Sequence, residues 1–241
     1  MATLWQRELV RFWREKARVL GFVGSPLIFW LVIGSGFGNL GFFFPGALTL
    51  TVMFSAVFST MSLIEDRREG FLLSMLVSPA PRSSMVLGKT LGSATLAWIQ
   101  GMIFLAFGPL AGVPLSFDVL WQSASVMFLI AMTFTLLGFA LAWRMESSQG
   151  FHAIINLLLL PLWMVSGSLF SMAKAHGWIR VVMVLNPMTY ALAALRRVLG
   201  TQVSAGTPEL GVSLTVTTVC AVVFLTVSAL VAGQKTARNF A

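Results

Sequence analysis

The run VLWQSASVMFLIAMTFTLLGFALAW, from Val119 to Trp143, contains no charged residue. It is long enough to cross a bilayer as one helix, which takes about 20 apolar residues. It shows none of the apolar–polar alternation of a barrel strand. Five further runs read the same way: Val19–Phe37, softened by Pro26; Pro45–Ile64; Val86–Leu110, with Lys89 near its start; Phe151–Ala173; and Leu210–Gly233. In hydrocarbon every backbone polar group must be satisfied within the element, so the runs are read as helices. Whole-chain composition agrees. The protein is 57% hydrophobic and 10% charged, against roughly 45–50% and about 25% for a soluble domain. One all-α integral membrane domain over 1–241, with six spans, is the expected fold. A soluble enzyme and a disordered regulator are excluded.

The charges orient the chain. The formal net charge is +8. In a soluble protein that excess would suggest nucleic acid; in a membrane protein, basic residues flank spans on the cytoplasmic side. Arg7, Arg11, Arg14, Lys16, Arg18, Arg67, Arg68, Arg82, Lys89, Arg144, Lys235 and Arg238 fall on one side if the spans alternate, and Lys174, Arg180, Arg196 and Arg197 on the other. The bias places both termini in the cytoplasm and leaves no role for nucleic acid. Cys220 is the one cysteine, so no internal disulfide forms. No small-residue cleavage site follows the charged N-terminus, so the first apolar run is expected to remain as a span.

Three segments lie outside the spans. Residues 1–18 read as an amphipathic interfacial helix. Arg7, Arg11, Arg14 and Arg18 share one stripe at 100° per residue, and Trp5, Leu9, Phe12 and Trp13 share the opposite face. The tryptophan side is expected to face lipid and the arginine side water. Residues 65–82 begin with the charges Glu65, Asp66, Arg67, Arg68 and Glu69, which are expected to end the second span. Gly70 and a short apolar helix with Phe71, Leu72, Met75 and Leu76 follow, stopped by Pro79 and Pro81. Such a helix needs a partner, and a cytoplasmic protein fits better than lipid alone. Residues 171–209 hold two short helical pieces, Trp178–Leu185 and Met188–Leu199, separated by Asn186-Pro187, where proline disfavours continuation. They read as a broken helical element at the outer surface; the alternative is a seventh crossing.

Chemistry of other kinds finds little footing. Ser83–Thr90 mimics the end of a phosphate-binding loop but has Ser83 where a glycine is needed, and the chain enters the membrane next. His152 and His176 stand at opposite ends of the fifth span and cannot share a metal, so neither a metal site nor a catalytic residue is expected. Ser166-Gly167-Ser168 reads as small residues at a helix contact. Coupled carriers keep charges inside the membrane, and here those charges are nearly absent. An external energy source is expected instead. Gln100, Asn156 and Met164 are candidates for lining a substrate path, with packing as the alternative.

Two motifs carry a family resemblance. One is Glu65–Arg82, with its charge cluster, Glu69-Gly70, leucine-rich helix and Val77-Ser78-Pro79, followed by Gly88-Lys89. The other is Asn186-Pro187-Met188-Thr189-Tyr190 followed by Leu195-Arg196-Arg197. With them the chain resembles the permease subunit of an ABC transporter of the ABC-2 type. It departs at Phe71, where threonine is common, at Leu73, where a polar residue is common, and at Ala193, where glutamate is common. The resemblance implies that two permease copies pair, as homodimer or heterodimer, each docking a cytoplasmic ABC ATPase that carries ATP and Mg. The Glu65–Val77 region would be the coupling helix, with the N-terminal helix beside it, and Asn186–Arg197 would cap the exit. It implies export of an amphipathic drug, lipid or lipid-linked glycan across the inner membrane of a bacterium. The rivals are an ATP-independent carrier or channel, and an ABC complex serving assembly or motility.

Overall fold

The computed structural model describes residues 2–14, 16–71 and 82–234, with the backbone alone at 2, 12–14, 16–20, 22–23, 82–83 and 234. Ten α-helices carry the described chain: α1 Ala2–Arg14, α2 Lys16–Gly36, α3 Leu40–Ser59, α4 Ser62–Arg68, α5 Arg82–Leu105, α6 Phe117–Arg144, α7 Ser148–Trp163, α8 Gly177–Leu185, α9 Pro187–Val198 and α10 Leu210–Gln234. Among the described residues there is no strand.

The central element is α3. Its apolar stretch is 94% buried, against 28% for the span built on α7 and 17% for α10. It packs on α2, α5 and α6, while α10 lies against α6. Small residues set these distances. A Cβ on Gly101 would stand 2.6 Å from Val52 Cγ2 and 3.1 Å from Met127 Sδ, and one on Gly138 would stand 3.0 Å from the Val57 backbone. Between helices in lipid, close backbone approach and polar bonds do the work that water exclusion does elsewhere. The indole N–H groups find backbone acceptors accordingly: Trp30 donates to Leu40 O at 2.9 Å, Trp98 to Ala124 O at 2.8 Å and Trp163 to Gly46 O at 2.8 Å.

The six predicted spans are all helices, but their lengths and polarity differ. Among the described residues four helical segments are long and apolar enough to cross a membrane: Leu40–Arg68, Phe117–Arg144, Ser148–Ser168 and Leu210–Gly233. The bent pair α8–α9 would make a fifth. In α2 the qualifying apolar stretch is the shorter Gly24–Gly36. In α5, Lys89, Gln100 and a run of serine, threonine and glycine lower the hydropathy.

Three boundaries moved. The second span does not end before its charge cluster. After Thr60 and Met61 the helix resumes as α4 and carries Glu65–Arg68 on its last turns, because those charges find partners in the protein. The third begins at Arg82 and ends at Leu105, with a 3-10 turn over Gly108–Ala111. The fifth stops at a π-helical turn, Met164–Ser168, where Gly167 takes φ 97°. The Ser166 and Ser168 hydroxyls both donate to Trp163 O at 2.6 Å. They serve that turn's own backbone. The break at Asn186 is as expected, and α8 and α9 meet at 83°.

Replacing Gly138 by alanine should force α3 and α6 apart and cost about 1–3 kcal/mol. Gly211→Ala, where a Cβ meets nothing within 4 Å, should leave stability unchanged. Thermal unfolding of the detergent-solubilised variants measures both.

Candidate functional site

The sequence singles out the charges at the end of the second span, and the structure gathers three helices on them. Asp66 on α4 is fully buried. Arg7 of α1 meets it with two N–H groups, Nη2 to Oδ1 at 2.9 Å and Nη1 to Oδ2 at 3.2 Å. Arg11, one turn later on the same stripe, reaches Asp66 Oδ1 at 3.2 Å and Glu65 Oε2 at 2.6 Å. Lys89 of α5 pairs with Asp66 Oδ2. Its Nζ also donates to Glu8 Oε1 at 3.0 Å and to Ser62 Oγ at 3.3 Å. Lys89, Glu8 and Asp66 are 3%, 4% and 0% exposed. Burial alone would lower the Arg7 pKa; the hydrogen bond and charge of Asp66 outweigh it and hold the guanidinium above its ordinary value.

The arginine stripe of α1 is thus not turned to water at Arg7 and Arg11. It faces the acidic end of α4, and the helix lies along α5. A Cβ on Gly92 would stand 2.9 Å from Glu8 Cβ and 3.6 Å from Trp5 Cα, and Trp5 Nε1 donates to Thr95 Oγ1 at 3.2 Å. Residues 8 and 5 therefore meet 89–92 and 92–95, an antiparallel docking made possible by the missing side chain at Gly92. Glu8 was absent from the sequence reading. Its signal was available: a lysine early in a span needs a carboxylate, and Glu8 is the only acid in α1. The side chains of Trp13, Arg14 and Arg18 lie outside the described residues.

The rest of the cluster ties α4 to α6. Arg67 donates to Met145 O at 2.8 Å and to Trp143 O at 2.6 Å, and Arg68 to Glu146 O at 3.0 Å. Trp143 O and Met145 O belong to the C-terminal end of α6, where a helix leaves acceptors unsatisfied and cations are favoured. Beyond Glu69, Gly70 takes φ 75° and turns the chain out of the helix. Phe71 then packs under Arg7, whose guanidinium carbon is 3.7 Å from the ring centroid. Leu72, Met75 and Leu76 lie outside the described residues. The geometry joins the root of the 72–81 segment to α1, α4, α5 and α6 at once, so a force on that root reaches all four.

The second motif builds a separate site. Asn186 accepts from Met188 N at 2.9 Å and caps α9, with Pro187 in the first helical turn, where its missing N–H costs nothing. Its amide also donates to Leu162 O at 2.6 Å, fixing the bend to α7. Tyr190 donates to Val184 O at 2.8 Å, across the break. Arg197 holds the following loop through Pro208 O at 2.7 Å and Thr207 O at 3.1 Å. Arg196 points inward to Gly167 O at 2.8 Å and Phe42 O at 3.4 Å. Phe42 and Asp66 belong to one span. At 1.5 Å per residue the two sites are roughly 36 Å apart, about the thickness of a bilayer.

The three substrate-path candidates are not brought together. Gln100 is fully buried, and its amide atoms have no partner among the described residues. Asn156 and Met164 are exposed on the outside of the α7 span. Among the described residues no three His, Cys, Asp or Glu side chains are placed to hold a metal ion.

Comparison with known proteins adds three findings. The family described as ABC-2 type transporter matches residues 1–199, from the first residue to the close of α9. The chain is 28% identical over 205 residues to a transport permease, ycf38, of Cyanophora paradoxa, covering 79% of this chain and 71% of that one. It is 23% identical over 208 residues to a doxorubicin resistance ABC transporter permease protein, DrrC, of Mycobacterium tuberculosis, covering 79% and 73%.

Lys89→Met should leave the Glu8 carboxylate buried without its cation and cost about 3–5 kcal/mol. Adding Glu8→Gln to Lys89→Met should restore most of that loss, because Asp66 keeps Arg7 and Arg11. A double-mutant cycle on thermal unfolding reads the coupling.

Proposed function

Because this chain belongs to the ABC-2 type transporter family as one of its permeases, we propose that it forms the membrane pathway of an ATP-driven exporter. It brings no ATP site of its own. ATP and Mg belong to a cytoplasmic ABC ATPase docked at the Glu65–Val77 region, the coupling helix. Both termini and this region face the cytoplasm of a bacterial inner membrane, and Asn186–Arg197 caps the outer exit. On this reading all six long helical runs, α2 and α5 included, cross the bilayer.

The observation that carries the proposal is the buried junction at Asp66. A docking segment that moves with a partner ATPase transmits work only if its root is stiff. Here the root is α4, locked by charge to α1 and α5 and by Arg67 to the end of α6. A displacement at Glu69–Phe71 shifts these helices together, and the Leu40–Arg68 span, through its turn at Thr60–Met61, carries the shift to Phe42, beneath Arg196. The apolar faces of α7 and α10 suit lipid and a second permease copy. The substrate is amphipathic, of the drug, lipid or lipid-linked glycan type, taken from the membrane.

The test is purification of the tagged chain from its native membranes in mild detergent, with partners identified by mass. An ABC ATPase should co-purify in stoichiometric amount. Glu69→Lys with Arg68→Glu changes two exposed charges and leaves Asp66 intact, and it should reduce the coupled ATPase rate about tenfold while the permease still folds. No co-purifying ATPase in any of several detergents, with transport retained in vesicles lacking ATP, would select the secondary carrier instead.

A further inference from the structure

One face of α9 carries polar atoms that the outer-cap reading leaves unused. Thr189, Leu192, Ala193 and Arg196 recur at helical spacing, so they form one stripe. With Ser166, Gly167, Ser204 and Thr207 they line a cavity of about 20 Å³. That space is enough for a small monatomic guest. Arg196 is 3% exposed and Thr189 is 3% exposed. Arg196 Nε and Thr189 Oγ1 have no hydrogen-bond partner among the described residues. The two residues are two turns apart on α9 and line the same cavity.

The charge is as unmatched as the hydrogen bonds. Arginine is ionised at every working pH. Among the described residues no carboxylate pairs with Arg196; its contacts are two carbonyls and the Phe42 ring, 4.3 Å from the guanidinium carbon. Arg197, next in the chain, likewise bonds only carbonyls. Ser166 has already spent its hydroxyl proton on Trp163 O. The donors left to the cavity are therefore the Arg196 Nε–H and the Thr189 O–H beside a buried positive charge, a pairing that suits an anion.

We propose that Arg196 and Thr189 hold a single halide-sized anion, chloride in ordinary salt. There it neutralises Arg196 and fastens α9 to the Met164–Ser168 turn. The site stands apart from the transport reading, since it needs no ATPase.

The test uses the full chain, with whatever subunits co-purify, in sodium gluconate. Sodium chloride, sodium bromide or inorganic phosphate is titrated in at constant ionic strength, and the thermal unfolding midpoint is read by tryptophan fluorescence. Chloride and bromide should raise the midpoint with saturation, and phosphate should not. Arg196→Gln should abolish the response. Thr189→Val, which keeps the charge and the shape, should weaken half-saturation about tenfold, the loss of one hydrogen bond to a charged group. Equal midpoints of the unmodified protein in gluconate and chloride would overturn the proposal. So would an unchanged halide response in Arg196→Gln or Thr189→Val, or a response to phosphate alone.

Discussion

The carboxylate of Asp66, buried with three cations around it, is the contact on which the arrangement of α1, α4 and α5 depends. Removing a carboxylate from water is costly, and only close, hydrogen-bonded cations offset it. Arg7, Arg11 and Lys89 do so from two different helices. Glu8 and Glu65 balance the remaining positive charge. Glu69 Oε1 also lies 3.9 Å from Arg11, at the exposed edge of the cluster. Loss of Lys89 would leave the buried Glu8 carboxylate without its cation. This is why α1 docks on α5 instead of drifting on the membrane surface, and why α4 remains helical through its charges.

The same logic sorts the rest of the molecule. Where charge is matched within the protein, helices lock, as α1, α4 and α5 do at Asp66. Where only backbone carbonyls meet a cation, as at Arg196 and Arg197, the element is fastened by dipoles and its charge is left over. Leu40–Arg68 links the two regions. It is 94% buried along its apolar stretch and lies against glycines on α5 and α6, so it moves with its neighbours or not at all. By contrast α7 and α10 turn broad valine and leucine faces outward, as suits lipid or another membrane chain.

Much was legible in the sequence because it is written in one dimension. Hydrophobic run length sets the helices, so α6 and α10 match their predicted spans nearly to the residue. Asn186-Pro187 announces its own cap and break, because a proline and an Asx cap act on neighbouring backbone. The bias of arginine and lysine, the charge cluster and the two motifs are equally local, and with composition they place the chain among membrane permeases.

What only the tertiary structure decided concerns pairs distant in sequence. Nothing in Glu8 by itself points to Lys89; they meet because Gly92 lets α1 approach, and that contact exists only once α5 is formed. The end of the second span was misplaced for the same reason: five charges look like an exit into water until their partners on α1, α5 and α6 arrive. Gln100, Asn156 and Met164 look equivalent as polar or soft residues in spans, yet packing seals the first and leaves the others outside. Arg196 and Arg197 are adjacent and alike in sequence. A step of 100° around α9 sends one into a cavity behind Gly167 and the other to a loop carbonyl, and that rotation acquires meaning only from what the neighbouring chain places on each side.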